Sequence, residues 1–334
     1  MIAAIHFRDF KALRSASVRL GAFNLLVGPS GSGKTSLLQA ILRLRTLAAA
    51  APEPPAANRD PGLGPRIVFD FAPPFEGLQA VIGCEPDELV CNLLTLQAQP
   101  EAARGRWPEL RARLGTVREY LFDHFAMGRP APRASGGDLA SNAGNIAAVL
   151  AEWREHAPAT FATVESGFRR LNPEFAALDL ADGPDGTVAL RVRTRAPESS
   201  VIPAENLAQG TLYSLAILTL AAVPRPPAVV CLEEADRGFH PRLLRAIRDE
   251  LYRLSHPGDA GLARPPAQVV VTSHSPYLLD LFKDHPEEVI LAQKSGSAAT
   301  FRRLSEVPGL GEHLREAHLG DLWYSGVLGG VPGE

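Results

Sequence analysis

Apolar and polar positions along the chain switch between a strand-like and a helix-like period, and the order of those switches outlines a fold. Residues 3–7 and 16–20 read as strands, and residues 23–27 form a continuous apolar run, as expected for a strand buried on both faces. A glycine-rich stretch follows, and then residues 36–43 repeat apolar side chains at helical spacing. Residues 48–64 are rich in Ala, Pro and Gly and predict a surface loop. Segments 66–71, 80–84 and 89–96 are strand-like and predict an antiparallel layer. Residues 108–126 and 144–170 read mostly as helix, split by a loop at 128–137, and residues 187–194 alternate like a half-exposed strand.

The last section returns to alternating elements. A helical run over 207–222 is stopped by Pro224, Pro226 and Pro227. Residues 228–232 predict a buried strand, 241–254 a helix and 255–266 a Pro/Gly-rich loop. Residues 268–272 and 289–292 predict two more strands. Strands alternating with helices of this length predict an α/β fold with a mostly parallel core sheet, an antiparallel β layer and a small helical lobe. The expected division is 1–47 as the first part of the core, 48–200 as inserted strands and helical lobe, and 201–334 as the returning part of the core. No repeat of 20–50 residues and no useful heptad run interrupts this pattern.

Composition removes several classes. The 334 residues are 46% hydrophobic and 21% charged, enough for a large core, and 34 Lys+Arg against 37 Asp+Glu give a net charge of -3. That balance suggests neither a basic coat for nucleic acid nor an acidic tail. Three cysteines, Cys84, Cys91 and Cys231, lack metal-site spacing, and their odd number argues for a reducing compartment rather than a disulfide framework. No apolar run approaches 18 residues, and the chain opens in a strand pattern rather than a signal peptide. The expectation is a soluble cytoplasmic protein without a membrane segment.

Four motifs carry the candidate chemistry. Gly28-Pro29-Ser30-Gly31-Ser32-Gly33-Lys34-Thr35 satisfies G-x-x-x-x-G-K-[ST] between a predicted strand and a predicted helix that begins at Ser36. Such a loop turns successive backbone N–H groups onto a β-phosphate, its lysine bridges β- and γ-phosphates, and its Thr35 hydroxyl reaches Mg²⁺. Val229-Val230-Cys231-Leu232-Glu233-Glu234 is an apolar strand ending in two acids, which suits Glu233 to the Mg²⁺ shell and Glu234 to a general base for water. Glu233 stands where Asp is usual and is one methylene longer. A solvated acidic cap would look the same in isolation; the upstream loop favours the metal reading. Val269-Val270-Val271-Thr272-Ser273-His274 ends another buried strand on an imidazole suited to sensing a γ-phosphate, although a lone histidine is more often structural. The 41 positions from Glu233 to His274 allow a helical crossover to an adjacent parallel strand. Finally, Glu205-Asn206-Leu207-Ala208-Gln209-Gly210-Thr211 opens a helix with a glycine near its N-terminus, either a second anion site or an ordinary helix start.

In this order the motifs resemble the ABC-type ATPase heads of the SMC/RecF/OLD group, and most of all its small stand-alone bacterial RecF-like branch. Ile5-His6-Phe7-Arg8-Asp9-Phe10-Lys11-Ala12-Leu13 is similar to that group's first strand. Glu233-Glu234-Ala235-Asp236-Arg237-Gly238-Phe239-His240-Pro241 is similar to its acidic stretch, and Thr272-Ser273-His274-Ser275-Pro276 to its histidine stretch. Gly144-Asn145-Ile146-Ala147-Ala148-Val149-Leu150 and Leu319-Gly320-Asp321-Leu322-Trp323-Tyr324-Ser325-Gly326 support the RecF-like branch. The resemblance implies a P-loop NTPase with ABC-head topology that binds ATP and Mg²⁺ through Gly28 to Ser36, Thr35 and Glu233. It implies catalysis by Lys34, Glu234 and His274, and an ATP-dependent homodimer in which Gly210 and Thr211 act on the partner's nucleotide. Ala208 departs from the usual serine, which implies weaker dimerisation or slower turnover. No glutamine-loop residue stands out; Gln97 and Gln99 qualify by type alone.

The 171 residues between Thr35 and Leu207, without heptads, exclude long coiled-coil arms, and the 60 after His274 are too few for an appended nuclease. Expected roles are therefore a nucleotide switch in DNA repair or a regulatory ATPase acting on a separate effector protein in defence or stress. An AAA+ remodeller using Arg237 or Arg242 is a third reading, disfavoured by the signature-like helix. Arg111, Arg113, Arg169 and Arg170 could touch DNA but read more simply as solvated helix faces.

Overall fold

The computed structural model describes residues 1–56, 64–83, 92–195, 200–296 and 298–329. Cys84 and Cys91, with parts of the predicted loop 48–64 and of the predicted strands 80–84 and 89–96, lie outside the described residues. The chain forms two compact units: Met1–Glu119 with Pro227–Ala235 and Ala267–Glu334, and Tyr120–Pro226 with Asp236–Pro266.

In chain order the first unit begins with β1 (Ile2–Phe10), β2 (Leu13–Arg19), β3 (Phe23–Val27) and α1 (Lys34–Ala50). It continues through β4 (Arg66–Phe71), β5 (Leu78–Gly83), β6 (Leu93–Ala98), α2 (Trp107–Leu114) and the edge strand β7 (Arg118–Tyr120). The second unit supplies α3 (His124–Met127), β8 (Ala131–Pro132), α4 (Ile146–His156), α5 (Pro158–Leu171), β9 (Phe175–Asp182), β10 (Thr187–Thr194), β11 (Val201–Pro203) and α6 (Gln209–Ala222). β12 (Val229–Leu232) returns to the first unit, α7 (Leu244–Ser255) to the second. The first unit closes with β13 (Gln268–Ser273), α8 (Pro276–Asp280), β14 (Val289–Ser295), β15 (Ala298–Arg303), α9 (Leu310–Glu316) and α10 (Leu319–Tyr324).

Two sheets define the first unit. One is antiparallel, in the order β2-β1-β4-β5-β6; the other has six strands in the order β15-β14-β3-β13-β12-β7. In the second sheet β14, β3, β13 and β12 run parallel, and β15 is antiparallel at one edge. A single apolar cluster joins them through α1. Leu37, Leu38, Ile41 and Leu44 belong to one buried cluster with Ile5, Phe7, Phe69 and Ile82 of the antiparallel sheet and Leu26, Cys231, Val270 and Ile290 of the parallel one. Apolar positions spread around the helix in this way suit a helix covered by two sheets.

A buried glutamine holds the sheets in register. Gln268, on β13, accepts from the Ile2 N–H (3.1 Å) and donates to the Ile2 carbonyl (2.8 Å) and the Gly21 carbonyl (2.9 Å). In the second unit β9 and β10 form a hairpin against α4 and α5, and α6 is buried on every side from Thr211 to Ala221. Asn172 ties α5 to α6 through the Ser214 hydroxyl at 3.2 Å, and Phe168 stacks on Phe175 with centroids 5.7 Å apart.

Several predictions from local pattern need correction. Residues 108–126 are helical at both ends but not continuously: α2 stops before Gly115, Arg118–Tyr120 joins the core sheet as an edge strand, and α3 follows. Three residues carry too short a pattern to reveal a strand whose partner is over a hundred positions away. β9 and β15 were not predicted, and the loop at 128–137 contains the two-residue strand β8. The helix expected over 241–254 begins with a 3-10 turn, Pro241–Leu243, before α7.

Gln268→Leu keeps the volume but strands the backbone groups of Ile2 that its amide satisfies. Urea unfolding should show a loss of about 2–4 kcal/mol, larger than for an apolar-for-polar exchange on the surface.

Candidate functional site

The loop after β3 is shaped by what presses on it. A Cβ on Gly28 would lie 2.2 Å from the Ala292 carbonyl oxygen on β14, so no larger residue fits. Gly33 is the N-cap of α1 at φ 92°, a left-handed turn that glycine makes without strain. α1 has neither a capping side chain nor an acid in its first turn. Its first N–H groups and the positive end of its dipole are therefore left for an anion. The Lys34 ammonium folds back into the loop and donates to the Gly28 and Pro29 carbonyls, 2.8 Å each. The Ser32 hydroxyl is fully buried and, among the described residues, has no hydrogen-bond partner. An orphaned hydroxyl, a backbone too crowded for a Cβ and an ammonium resting on carbonyls together fit a phosphate group. Pro29 and Gly33 are buried, Ser30, Gly31 and Thr35 exposed, and Ser36 half-buried on the first turn of α1.

The parallel register brings the other candidates to the same rim. Ser273 pairs with Val27 and Val271 with Leu25, while Leu232 pairs with Val271. Gly28, Glu233 and His274 are thus the first residues beyond the carboxyl ends of three adjacent strands, where ligands bind in open α/β sheets. Thr272 supports the acidic turn: its hydroxyl accepts from the Glu234 N–H (3.0 Å) and its carbonyl from the Ala235 N–H (2.9 Å). Glu234 sits at φ 51°, a left-handed conformation that is unfavourable for a residue with a Cβ and tends to persist at functional turns. His274 is exposed, and the turn after it is fixed by Ser273, which accepts from the Ser275 N–H at 2.9 Å.

The rim groups feel one another. Burial lowers the Lys34 ammonium to about 8, against the opposing pull of Glu233 and Glu234. Burial raises the Glu233 carboxyl, Glu234 adds to the rise and Lys34 resists it. Pattern reading missed two contributors. One is Thr272, whose anchoring role needs the β12–β13 pairing to be known. The other is Glu119 on β7, whose carboxyl is raised by burial and by Glu233, with Arg45 opposing. Nothing in the sequence marked Glu119, because its segment reads as helix. Among the described residues no three His, Cys, Asp or Glu side chains form a metal site by themselves. A Mg²⁺ held by Glu233 and Thr35 would therefore need phosphate oxygens or water to complete its shell.

Four sequence candidates are not carried by the strands of this rim. Gly210 and Thr211 open α6 in the second unit, where a Cβ on Gly210 would meet the Gly238 carbonyl at 2.5 Å. Gln97 lies in β6 and Gln99 just beyond it, off the six-stranded sheet, so neither follows a core strand.

Residues 97–280 match the family described as "AAA domain, putative AbiEii toxin, Type IV TA system". The chain belongs to this AAA-domain family. The matched stretch holds Gly210, Thr211, Glu233, Glu234 and His274, and the loop from Gly28 to Ser36 precedes it. No curated protein sequence matches the chain. Among solved structures it is similar to an Smc head bound to the C-winged helix domain of ScpA (15% identity, 90% of this chain and 96% of that one, TM-score 0.60). It is also similar to the Smc head domain with an extended coiled coil bound to the C-terminal domain of ScpA from Pyrococcus furiosus (12%, 94% and 99%, 0.57). A third likeness is the Smc head domain with a coiled coil and joint from Pyrococcus yayanosii (11%, 94% and 99%, 0.56). This AAA-domain chain thus has the P-loop NTPase fold of an SMC head, as its motifs implied. Its longest described helix is the 17-residue α1, and none is long and apolar enough to cross a membrane.

The lowered Lys34 value predicts a pH dependence. Phosphate ligands favour the ammonium, so binding takes up a proton wherever free Lys34 has lost its own. Affinity for MgATP should be level from pH 7 to 7.5 and fall above about 8, by up to about tenfold per pH unit. Calorimetry in buffers of different ionisation heat would detect the proton uptake, and Lys34→Arg should remove the dependence up to pH 9.5.

Proposed function

We propose that this chain is a Mg²⁺-dependent ATPase whose nucleotide cycle switches a homodimer. The observation that carries the reading is the meeting of Lys34, Glu233 and Glu234 beside an open helix N-terminus, with Glu234 held in a strained turn. Gly28 to Ser36 wrap the triphosphate, with backbone N–H groups and the Lys34 ammonium directed at the β- and γ-phosphates. Lys34 exchanges the Gly28 and Pro29 carbonyls for phosphate oxygens as the ligand enters. Thr35 and Glu233 hold Mg²⁺, which when bound neutralises charge on the phosphate oxygens. Glu234 orients a water and accepts its proton as the water oxygen bonds to the γ-phosphorus and the bond to the ADP oxygen breaks. His274 donates a hydrogen bond to the γ-phosphate and loses that partner after hydrolysis. ADP and phosphate are the products.

Gly210 and Thr211 are the candidate contacts to the partner's nucleotide in the ATP-bound dimer. For the output of the switch, the first reading is a regulatory ATPase of a defence or stress system acting on a separate protein effector; the family description, a putative toxin of a type IV toxin–antitoxin system, supports the defence setting. Action on DNA in repair is the second reading and rests on the resemblance to RecF-like heads; the net charge of -3 does not add to it. A cytoplasmic location accords with both.

Lys34→Ala should abolish ATP binding, whereas Glu234→Gln should bind ATP and lose at least about a hundredfold in turnover. Normal turnover by Glu234→Gln would remove that residue from the general-base role. In mass measurements, the Glu234→Gln protein should shift from one chain to two when MgATP is added, and Gly210→Trp should stay at one.

A further inference from the structure

Lys294 is one of only four lysines in the chain and belongs to none of its motifs. β14 pairs in parallel with β3, Val289 opposite Leu25, Ile290 opposite Leu26 and Leu291 opposite Val27. The next position, Ala292, therefore faces Gly28, and the close approach of its carbonyl to Gly28 shows how tightly β14 is pressed against the loop. Side chains alternate along a strand, so Lys294 returns to the face of Ala292 two residues later, beyond the sheet edge. Its ammonium lies 3.7 Å from where a Cβ on Gly31 would stand, and among the described residues no other group beyond the loop neighbours Ser30 and Ser32 comes within 4 Å of that point. Lys294 is exposed and, among the described residues, its ammonium makes no hydrogen bond or ion pair.

We infer that Lys294 is a second phosphate-binding cation of this site, delivered by β14 to the outer side of the loop. The inference rests on the nucleotide reading proposed above and adds a residue that the loop motif does not contain. Charge supplies the need. Lys34 and Mg²⁺ together still leave a bound triphosphate with a net negative charge, and Lys34 already sits beside the carboxylates of Glu233 and Glu234. Sheet order supplies the direction. β12 and β13, which carry Glu233, Glu234 and His274, flank β3 on one side, and β14 flanks it on the other. The γ-phosphate must lie toward the acid that orients the attacking water, so Lys294 faces the α- and β-phosphates, which ATP and ADP share. A compact ammonium on a flexible stem suits this task, because it follows the ligand without a fixed fork geometry.

The test compares Kd values for MgATP and MgADP in the full chain, its Lys294→Gln and Lys294→Arg variants, and Lys34→Ala. Lys294→Gln should weaken both nucleotides by about tenfold, and Lys294→Arg should restore most of the loss. The difference from the native chain should narrow as salt rises, as expected for an exposed charge. Because Lys294 is exposed, thermal unfolding of Lys294→Gln should match the native chain, which separates lost contact from lost fold. Equal affinities for the native chain and Lys294→Gln would overturn the inference, and so would a loss confined to ATP. If the native chain bound neither nucleotide, the ATPase reading itself would fall, a result distinct from both.

Discussion

A lysine ammonium withdrawn from water is the interaction on which the rest of this molecule turns. Lys34 rests on two carbonyls of its own loop, and burial costs it part of its affinity for a proton. A charge kept in that position is poorly solvated and only partly balanced by Glu233 and Glu234, so an anion that enters the loop finds a cation already desolvated for it. The open end of α1 acts in the same direction. The close seating of β14 against Gly28 and the left-handed turn at Gly33 shape the loop that carries both features.

The parallel sheet converts this local device into a site. Because β3, β13 and β12 are paired in step, three residues that are far apart in sequence follow one another along a single edge. The Gln268 amide, at the other end of β13, and the cluster around α1 tie this sheet to the antiparallel one. Strain at Glu234 is tolerated because Thr272 holds the turn from two sides. The helix that carries Gly210 in its first turn belongs to the other compact unit, so the two halves of the proposed cycle, nucleotide chemistry and partner recognition, lie on separately packed parts of the chain.

How much of this is legible in the sequence depends on how local the cause is. Phe23–Val27 and Thr187–Thr194 are readable to the residue, because burial on both faces and strict alternation leave direct marks on composition. The loop from Gly28 to Thr35 is readable for a similar reason: its glycines, its lysine and its hydroxyl are contiguous. β7 is not readable, since three residues recruited to a sheet edge have no period of their own. Glu119 is hidden with it. Thr272 and Lys294 are visible as letters but acquire meaning only through strand register, which brings one under the acidic turn and the other over the loop. The family match shows the same split from another side, covering residues 97–280 while the most recognisable motif stands outside it.

The central claim is tested most directly by a crystal structure with Mg²⁺ and a non-hydrolysable ATP analogue. The account predicts β- and γ-phosphates inside the loop from Gly28 to Thr35, with the Lys34 ammonium moved off the Gly28 and Pro29 carbonyls onto phosphate oxygens. A nucleotide bound elsewhere, with Lys34 still on both carbonyls, would contradict it.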